Sequence, residues 1–384
     1  MDSMEDTKQQ VKPFSFAGTA AGYFSVWIVN ILLTIVTLGI YSAWAKVRTN
    51  QYFYGHTQLD GSSFQYLATP MQILRGRIFA CLALLAYLLA DWISPIAGIA
   101  AIVILFAALP FIFVAAMSFR MRHTAYRGVT FAFKGDILQA YLILLLPTLL
   151  FFGAIFLTVW GVMPEEEGDQ VSMVPMLIML GVFLLAGLFT PLVEFFLYRY
   201  VTTGVRYGQS AFRFGAGHWD FYKIYAVAVG VFLLFGIVIG LMAGGINMAA
   251  GVEIGEGTTG AAGTGITLLM AVAGMVLYLW LFAYFKVARE NLLYNNLQLE
   301  QGHYFESRLR VGYMMFLIFT NTLAVVVSLG LLLPWAKVRT AKYRASTLVL
   351  VAVADLNDFA AGEREQVRAL GEEVDGVFDL EIGI

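Results

Sequence analysis

Charged residues are scarce in this chain. Of its 384 residues, 13% are Asp, Glu, Lys or Arg, whereas soluble domains carry about 25%. A hydrophobic fraction of 60% and long apolar runs exclude an ordinary soluble domain and indicate an α-helical membrane protein. The net charge of -2 gives no reason to expect a nucleic-acid partner.

Cysteine and histidine are also scarce. The one cysteine, Cys81, lies in an apolar run, which excludes a disulfide framework and argues against a cysteine-ligated metal. The four histidines, His56, His123, His218 and His303, fall in separate predicted loops. Because none is spaced as His-x-x-x-His or Glu-x-x-His, we predict neither a metal site nor a cofactor.

Catalytic and nucleotide-binding motifs are missing from the sequence. It has no glycine-rich phosphate loop, no Gly-x-Ser-x-Gly elbow, no His-Glu-x-x-His and no Cys-x-x-Cys. We therefore predict no catalytic residue and expect a protein that is not an enzyme, although an isolated intramembrane site would escape these motifs. The first residues lack a basic segment followed by a short apolar core, so we expect no cleaved signal peptide.

Long apolar runs dominate what is present. Most of them reach the ~20 residues that a helix needs to cross ~30 Å of hydrocarbon. The eight runs extend approximately over Tyr23–Ala43, Ile78–Ile93, Ile96–Ser118, Ile137–Met163, Val174–Tyr198, Phe221–Met248, Thr264–Phe285 and Val311–Trp335.

The connections between these runs alternate in charge. Three of them, Asp91–Gly98, Met163–Met173 and Asn247–Gly265, contain no lysine or arginine, and the connections between them hold the basic residues. Basic loops stay in the cytoplasm. Runs two to seven are therefore predicted to form three membrane-crossing hairpins whose acidic tips lie outside.

One stretch occurs twice, as Asn30–Tyr52 and Asn321–Tyr343, with Trp44–Thr49 identical to Trp335–Thr340. We interpret this identity at one offset as an internal repeat. Each copy ends in an aromatic and basic collar that suits the membrane surface. The collar is either a binding site for anionic headgroups or solutes, or an anchor that sets topology. Its residues are Trp44, Lys46, Arg48, Trp335, Lys337 and Arg339.

Runs one and eight carry cytoplasmic signals at both ends, which a single crossing cannot satisfy. Two solutions remain open. The runs are re-entrant, with breaks near Leu38-Gly39 and Leu329-Gly330 where glycine permits the turn. Alternatively, both runs span and the copies form an inverted repeat, as in many secondary transporters.

Short aromatic alternations follow the polar turns in the predicted cytoplasmic connections. They are Phe64-Gln65-Tyr66, Phe131-Ala132-Phe133 and Phe212-Arg213-Phe214, and Phe14-Ser15-Phe16 has the same form. Such alternation beside a glycine-containing turn predicts short strands or hairpins. The predicted fold is an all-α polytopic membrane protein with six to eight membrane helices and short cytoplasmic β-elements.

Three segments are predicted along the chain. Residues 1–21 form an N-terminal segment with a short strand, residues 22–353 form the membrane domain with its repeat, and residues 354–384 form an acidic tail. The tail is either solvated or docked onto the basic cytoplasmic loops of the protein itself.

Glu194 and the repeated asparagines are the candidate ligand or ion residues. Glu194 lies inside run five, where an ionisable group is costly and often functional. A carboxylate that reaches the inner surface and pairs with an arginine is the alternative. Asn30 and Asn321 occupy equivalent positions in the two copies and either contact a ligand or stabilise helix packing.

The repeated motif points to a family. Thr37–Arg48, Tyr52–Tyr54 and Leu59–Tyr66, together with the chain end Gly371–Gly383, resemble the YjgN-like family of bacterial inner-membrane proteins, a family of unknown function. The resemblance implies a polytopic protein of the bacterial cytoplasmic membrane and implies no activity. His56 departs from the family pattern, which has asparagine there, and this argues against His56 as a metal ligand.

Two function hypotheses follow from the sequence. The first is a transporter or permease-like protein for a small solute or lipid, supported by the duplication, the glycine-rich helices and Glu194. The second is a non-catalytic scaffold that binds a cytoplasmic protein through its loops and acidic tail. Both expect the lipid bilayer as a partner. A membrane-embedded enzyme that acts on lipid is a third, weaker alternative.

Overall fold

The computed structural model describes residues 10–160, 173–249 and 261–381. The helices within these ranges are α1 Ala20–Val36, α2 Ser42–His56, α3 Pro70–Ile93, α4 Pro95–Arg122, α5 Ile137–Trp160, α6 Met173–Gly204, α7 His218–Ala249, α8 Ala261–Asn295, α9 Val311–Val327, α10 Leu333–Ser346 and α11 Leu356–Glu381. The strands are β1 Gln10–Phe16, β2 Thr57–Leu59, β3 Ser62–Tyr66, β4 Thr124–Tyr126, β5 Val129–Phe133, β6 Val205–Tyr207, β7 Ser210–Phe214, β8 Leu297–Leu299, β9 Tyr304–Ser307 and β10 Leu348–Ala352.

The element order repeats one unit five times. Each unit is a strand, a pair of helices and a second strand, so that α1–α2 lie between β1 and β2, and α9–α10 between β9 and β10. Every strand–helix junction therefore falls on one rim of the sheet, and the strand–strand turns fall on the other.

The strands close into a ten-stranded antiparallel barrel, in the order β1-β10-β9-β8-β7-β6-β5-β4-β3-β2. The predicted all-α fold is therefore wrong. Strands of three to seven residues are too short to be stable alone, so the short β-elements predicted from the sequence gave no indication of a closed barrel. Closure depends on a pairing that is remote in sequence, in which Gln10 lies opposite Ala352. Closure removes the exposed strand edges.

Tight turns join the strand pairs on the outer rim. Asp60 and Gly61 have φ values of 47° and 72°, and Arg127 and Gly128 have 49° and 79°. Two consecutive residues with positive φ are typical of the two-residue turns that match the twist of a β-hairpin. The polar turns predicted at these positions thus join β2 to β3 and β4 to β5.

The helices form a ring on the opposite rim. Each of α1 to α10 packs mainly against its two neighbours, and α10 contacts α1, which closes the ring. Six described helices, α3 to α8, are long and apolar enough to cross a membrane. The acidic tips predicted at Met163–Met173 and Asn247–Gly265 lie mostly outside the described residues.

Runs one and eight each fold back on themselves. α1 ends at Val36, and the chain turns through Leu38 and Gly39, with φ values of 49° and 93°, before α2 begins. Leu329 and Gly330 have φ values of 50° and 91° between α9 and α10. The amide of Gly39 donates to the Thr34 carbonyl at 2.8 Å and closes the helix end. Both ends of each hairpin therefore lie on the barrel side of the ring.

The start of α11 covers the barrel at the rim farthest from the helices. Leu356, Phe359 and Ala360 are buried there, and Leu356 and Phe359 pack against barrel residues such as Leu59 and Tyr126. The first turns of the predicted acidic tail are thus part of the barrel core.

Candidate functional site in the barrel lumen

The barrel encloses a cavity of ≈ 750 Å³. Equivalent residues of the five units line it in layers, because side chains at alternate positions of a strand face the same side. The strand layer nearest the helices consists of Thr57, Thr124, Val205, Leu297 and Leu348; the last layer before α11 consists of Leu59, Tyr126, Tyr207, Leu299 and Leu350. The lumen is therefore mostly apolar.

A ring of phenylalanines lies in the lumen, opposite the last of these layers in the strand register. Its members are Phe14, Phe64, Phe131, Phe212 and Phe305, one from each unit. Four pairs of neighbouring ring centroids are 6.2 to 6.5 Å apart. Between Phe64 and Phe131, the rings of Tyr126 and Tyr207 lie 4.8 Å and 5.1 Å from their phenylalanine neighbours.

The phenylalanine ring limits the size of the ligand group that can occupy this level of the lumen. The strand register places five more lumen side chains at the level of the phenylalanine ring, so little room remains between the rings. They are Leu59, Tyr126, Tyr207, Leu299 and Leu350. A branched or bulky group would have to displace the rings.

The mouth of the lumen is formed one helical turn above the strands. The residues at the equivalent position of the five returning helices are Phe53, Arg120, Val201, Leu293 and Arg344. Arg344 Nε is 3.0 Å from Glu290 Oε2, and Glu290 also lines the cavity. The two arginines make the mouth the polar end of the chamber.

α11 forms the floor, held by a buried carboxylate. Glu363 is 3% exposed and accepts a hydrogen bond from Ser210 Oγ at 2.6 Å and from the Gln209 amide at 2.7 Å. Gly208 has φ +59, and a Cβ there would lie 2.3 Å from Glu363 Oε2. The β6–β7 turn therefore requires glycine at this position, so that the Glu363 carboxylate can bind the turn.

Burial keeps two tyrosines and one histidine near the floor uncharged. It raises the pKa of Tyr126 and of Tyr207, whose hydroxyls donate to the carbonyls of Leu59 at 2.8 Å and Tyr126 at 3.0 Å. Burial lowers the pKa of His303, whose Nδ1 accepts from the Val353 amide at 3.2 Å. These groups brace the lower end of the lumen and present no charge to it.

An ionic cluster joins one strand to two of the turns at the same rim. Asp60 is 2.7 Å from Lys12 and 2.7 Å from Arg127. Hydrogen bonding to Lys12 lowers the pKa of Asp60, and Arg127 acts in the same direction. The cluster joins β1 to the turns after β2 and β4.

Glu194 lies away from the lumen, in the helix ring. Its Oε1 is 2.6 Å from Arg289 Nε, and its Oε2 accepts from the Tyr225 hydroxyl at 2.8 Å. The structure thus places Glu194 of α6 in an ion pair that also holds α7 and α8. Its role as an ion or ligand site stays a prediction.

Asn30 and Asn321 lie inside the two helix hairpins. Asn30 Nδ2 donates to the Ala45 carbonyl at 3.4 Å, and Asn321 Nδ2 donates to the Ala336 carbonyl at 3.3 Å. Arg339 donates to Asn321 Oδ1 at 3.2 Å. Both asparagines bridge the two helices of their hairpin and do not line the lumen.

The two copies of the collar are adjacent, because α1 packs against α10. Lys46, Arg48 and Lys337 are exposed, and Trp44 stacks on Tyr41 with centroids 6.0 Å apart. The Arg339 guanidinium lies 5.1 Å from the centroid of the Trp335 ring. The headgroup role predicted for these residues stays a prediction.

Metal ligands do not converge in the described part of the chain: residues 10–160, 173–249 and 261–381 hold no group of three His, Cys, Asp or Glu side chains placed to bind a metal ion. His56 and His123 each direct Nδ1 to the carbonyl four residues earlier, at 2.7 Å. His56 is the last residue of α2, and His123 directly follows α4.

Sequence inspection missed the lumen and its mouth. The signal for the phenylalanine ring is the aromatic alternation before each helix pair, which recurs four times in clear form; in the fifth unit, Phe305-Glu306-Ser307, its second aromatic is lost. Arg120 and Arg344 appear in sequence as ordinary basic loop residues. Their shared position becomes visible only when the units are aligned through the strands.

The comparisons with known proteins agree with the resemblance. The chain matches the family described as "Bacterial protein of unknown function (DUF898)" over residues 11–377. It is 24% identical over 351 residues to "Inner membrane protein YjgN" of Salmonella typhimurium strain LT2, which covers 84% of each chain.

Two further relatives match over shorter stretches. "Inner membrane protein YjgN" of Escherichia coli O157:H7 is 31% identical over 126 residues, which is 32% of this chain and 31% of the relative. The protein of the same name from E. coli strain K12 is 32% identical over 124 residues, with 32% and 31% covered. No solved structure matches the chain.

The family match extends over nearly the whole chain, and the relatives are named as inner membrane proteins. The predicted family and location are confirmed. With six membrane-length apolar helices, this chain belongs to the DUF898 family and is a multi-pass protein of the bacterial inner membrane.

Proposed function

We propose that the barrel lumen takes up the hydrocarbon chain of a membrane lipid, and that the protein acts as a permease-like carrier that moves such a molecule out of the bilayer. The observation that carries this proposal is the aromatic-lined lumen, which is continuous with the helix ring at one end and covered by α11 at the other. The internal repeat inferred from the sequence belongs to the same proposal, because equivalent units supply equivalent lining residues.

The helix ring favours a lipid over a water-soluble solute. At most 11% of the residues in any spanning window are buried, and the exposed side chains are mainly Leu, Ile, Val and Phe. An aqueous path would need polar groups along it. The exposed surface of the helices therefore accommodates acyl chains.

The lining of the lumen suits a single chain. Ligand chambers of 300–1,000 Å³ lined by aromatic and aliphatic side chains are typical of small-molecule sites, and the cavity of ≈ 750 Å³ falls in that range. The proposed chain extends along the lumen toward the phenylalanine ring. A chain that leaves the bilayer exchanges one apolar environment for another in this lumen, which avoids the cost of about 0.8 kcal/mol for each methylene that would otherwise enter water.

A photo-crosslinking experiment tests the proposal. The full chain is reconstituted in nanodiscs of bacterial phospholipid that contain a trace of a single-chain lipid with a diazirine at mid-chain. After illumination, digestion and mass spectrometry identify the labelled residues. We expect label on the lumen strands, including peptides with Phe131 and Phe212.

Neighbouring positions on β8 supply a matched pair of variants. Leu297 faces the lumen and Gln298 is exposed on the outer face. Leu297→Trp should reduce lumen labelling severalfold, whereas Gln298→Trp should leave it unchanged. Thermal unfolding checks that both variants fold. If Leu297→Trp does not fold, Leu297→Phe replaces it. Absence of lumen label, or equal label in the Leu297 and Gln298 variants, contradicts the proposal.

A further inference from the structure

We propose that the mouth of the lumen selects an anionic head group, so that the ligand is a single-chain amphiphile with a carboxylate or phosphate at its end. The inference rests on the proposed function, because the head is placed by a chain that occupies the lumen. It adds the chemical class of the molecule and the residues that recognise it.

The first observation is the position of two arginines in one layer. Counted four residues before the first lumen-facing strand residue, the five units hold Phe53, Arg120, Val201, Leu293 and Arg344. All five line the cavity. Three units thus keep an apolar residue where the chamber needs only packing, and two place a guanidinium there.

The second observation is the charge balance of this layer. Arg344 is paired with Glu290, whose side chain is 19% exposed. Among the described residues, the Arg120 guanidinium has neither a hydrogen-bond nor an ion-pair partner, and Arg120 is exposed. One positive charge at the mouth is therefore uncompensated, and guanidinium groups bind carboxylate and phosphate through paired hydrogen bonds.

The third observation is distance. Arg120 lies one helical turn above Thr124, and Thr124 lies two strand residues above the layer opposite Phe64. The Cα level of the arginines is therefore roughly 10 Å above the phenylalanine ring. A head group held at the mouth therefore lets its chain extend through the lumen toward the phenylalanine ring.

A role in topology alone does not account for Arg120. Arg122, on the same last turn of α4, is also exposed, bonds the Ser118 carbonyl through Nε at 3.4 Å, and does not line the cavity. Arg122 supplies the positive charge that marks a cytoplasmic helix end. It also offers a matched control, two residues away on the same helix.

The test measures displacement of the single-chain photo-probe from the full chain in nanodiscs at pH 8, where carboxylates and phosphates are ionised. Unlabelled competitors share one saturated chain and differ in the head: a fatty acid, a lysophosphatidic acid, a zwitterionic lysophosphatidylcholine and a neutral monoacylglycerol. We expect both anionic competitors to act at about tenfold lower concentration than the monoacylglycerol. The order of the two anions identifies carboxylate or phosphate.

Variants assign this preference to the mouth. Arg120→Met should remove most of the anionic advantage and leave displacement by monoacylglycerol unchanged, while Arg122→Met should leave all competitors as in the native protein. Equal potency of anionic and neutral heads in the native protein overturns the inference, as does an Arg120→Met variant that weakens all competitors alike. In both cases lumen labelling persists and the proposed function stands. Loss of lumen labelling in the native protein overturns both.

Discussion

At the residue scale, the seat of Glu363 shows how one carboxylate holds a helix to the barrel. It accepts from the Ser210 hydroxyl and the Gln209 amide while 3% exposed. A buried polar group that loses its partner costs roughly 1–3 kcal/mol. The docking of α11, and with it the floor of the lumen, depends on this contact.

We predict that Glu363→Gln weakens the docking of α11, because the amide keeps one acceptor oxygen and its NH₂ group cannot accept from the second turn donor. The expected loss is about 1–3 kcal/mol, seen as a lower Tm and as faster cleavage by a protease in the segment before α11. Glu365→Gln is the matched control, since Glu365 is exposed on the same helix. If both variants behave like the native protein, Glu363 does not hold the floor.

His303 makes the docking of α11 sensitive to pH. Its Nδ1 accepts the Val353 amide at 3.2 Å, and its ring centroid lies 4.9 Å from that of Phe359. Burial lowers the pKa of His303 below the ordinary value of 6.5. A protonated imidazole has no acceptor nitrogen, so the charged form disrupts this contact.

The predicted effect has a definite sign. The unfolded chain binds a proton at His303 more readily than the folded protein, so stability is complete above pH 6.5 and falls as the pH decreases toward the lowered pKa. Proteolysis near α11 should therefore accelerate below pH 6.5. In His303→Gln this acceleration should be reduced, and a pH response identical to that of the native protein would argue against the assignment.

At the element scale, the two helix hairpins depend on the backbone of their tips. Gly39 and Gly330 have φ values of 93° and 91°, and a Cβ atom added to either residue would meet nothing within 4 Å. Steric exclusion by neighbours therefore plays no part in the glycine requirement there. A side chain at either position would instead add conformational strain, because the backbone has a positive φ there.

We predict that Gly39→Ala destabilises the protein by about 1 kcal/mol, because alanine disfavours this region of φ. Gly55→Ala is the control: Gly55 also has nothing within 4 Å but lies inside α2, where alanine is favoured by roughly 0.5–1 kcal/mol. Thermal unfolding in nanodiscs should show opposite signs. A stabilising Gly39→Ala would contradict the left-handed turn.

The pairing of Glu194 with Arg289 belongs to the element scale as well. The hydrogen bond of Tyr225 to Glu194 brings α7 into the contact between α6 and α8. Three neighbouring helices of the ring are thus joined within the apolar environment, where unpaired charges are costly. This gives Glu194 a structural role beside the ion site proposed from the sequence.

At the scale of the whole molecule, we predict that the barrel lies on the cytoplasmic side. The strand–helix rim carries the basic residues of the connections, including Arg120 and Arg122, and basic segments remain in the cytoplasm. The short tip between α3 and α4, next to Trp92, lies at the far end of the ring. The hairpin tip at Leu38 is 95% exposed and apolar, which suits lipid.

Cysteine labelling tests this orientation in a Cys81→Ser background. Trp92→Cys, at a position 86% exposed, should react with a membrane-impermeant thiol reagent in intact cells. Gln65→Cys, on the outer face of the barrel, should react only after the membrane is broken, and Leu38→Cys should react in neither case. Reaction of Gln65→Cys in intact cells would reverse the orientation.

Sequence alone determined the features that depend on local composition. Apolar runs that are long enough to cross the bilayer identify α3 to α8, because hydrocarbon accepts only segments whose polar backbone groups are paired internally. The alternation of charge in the connections identifies how these helices pair into hairpins. Local residue patterns also identified the duplicated collar, the polar turns at Asp60 and Arg127, and the family. Glu194 was found as an ionisable residue in an apolar run.

Tertiary structure decided everything that depends on pairing between remote residues. A three-residue strand such as Thr57–Leu59 carries no period of its own, and its role as barrel wall follows only when β1 meets β10 across nearly the whole chain. The same closure brings five scattered phenylalanines into one ring and two ordinary arginines into one mouth. It also turns the start of an acidic tail into a floor, since Leu356 and Phe359 find an apolar surface only under a closed barrel.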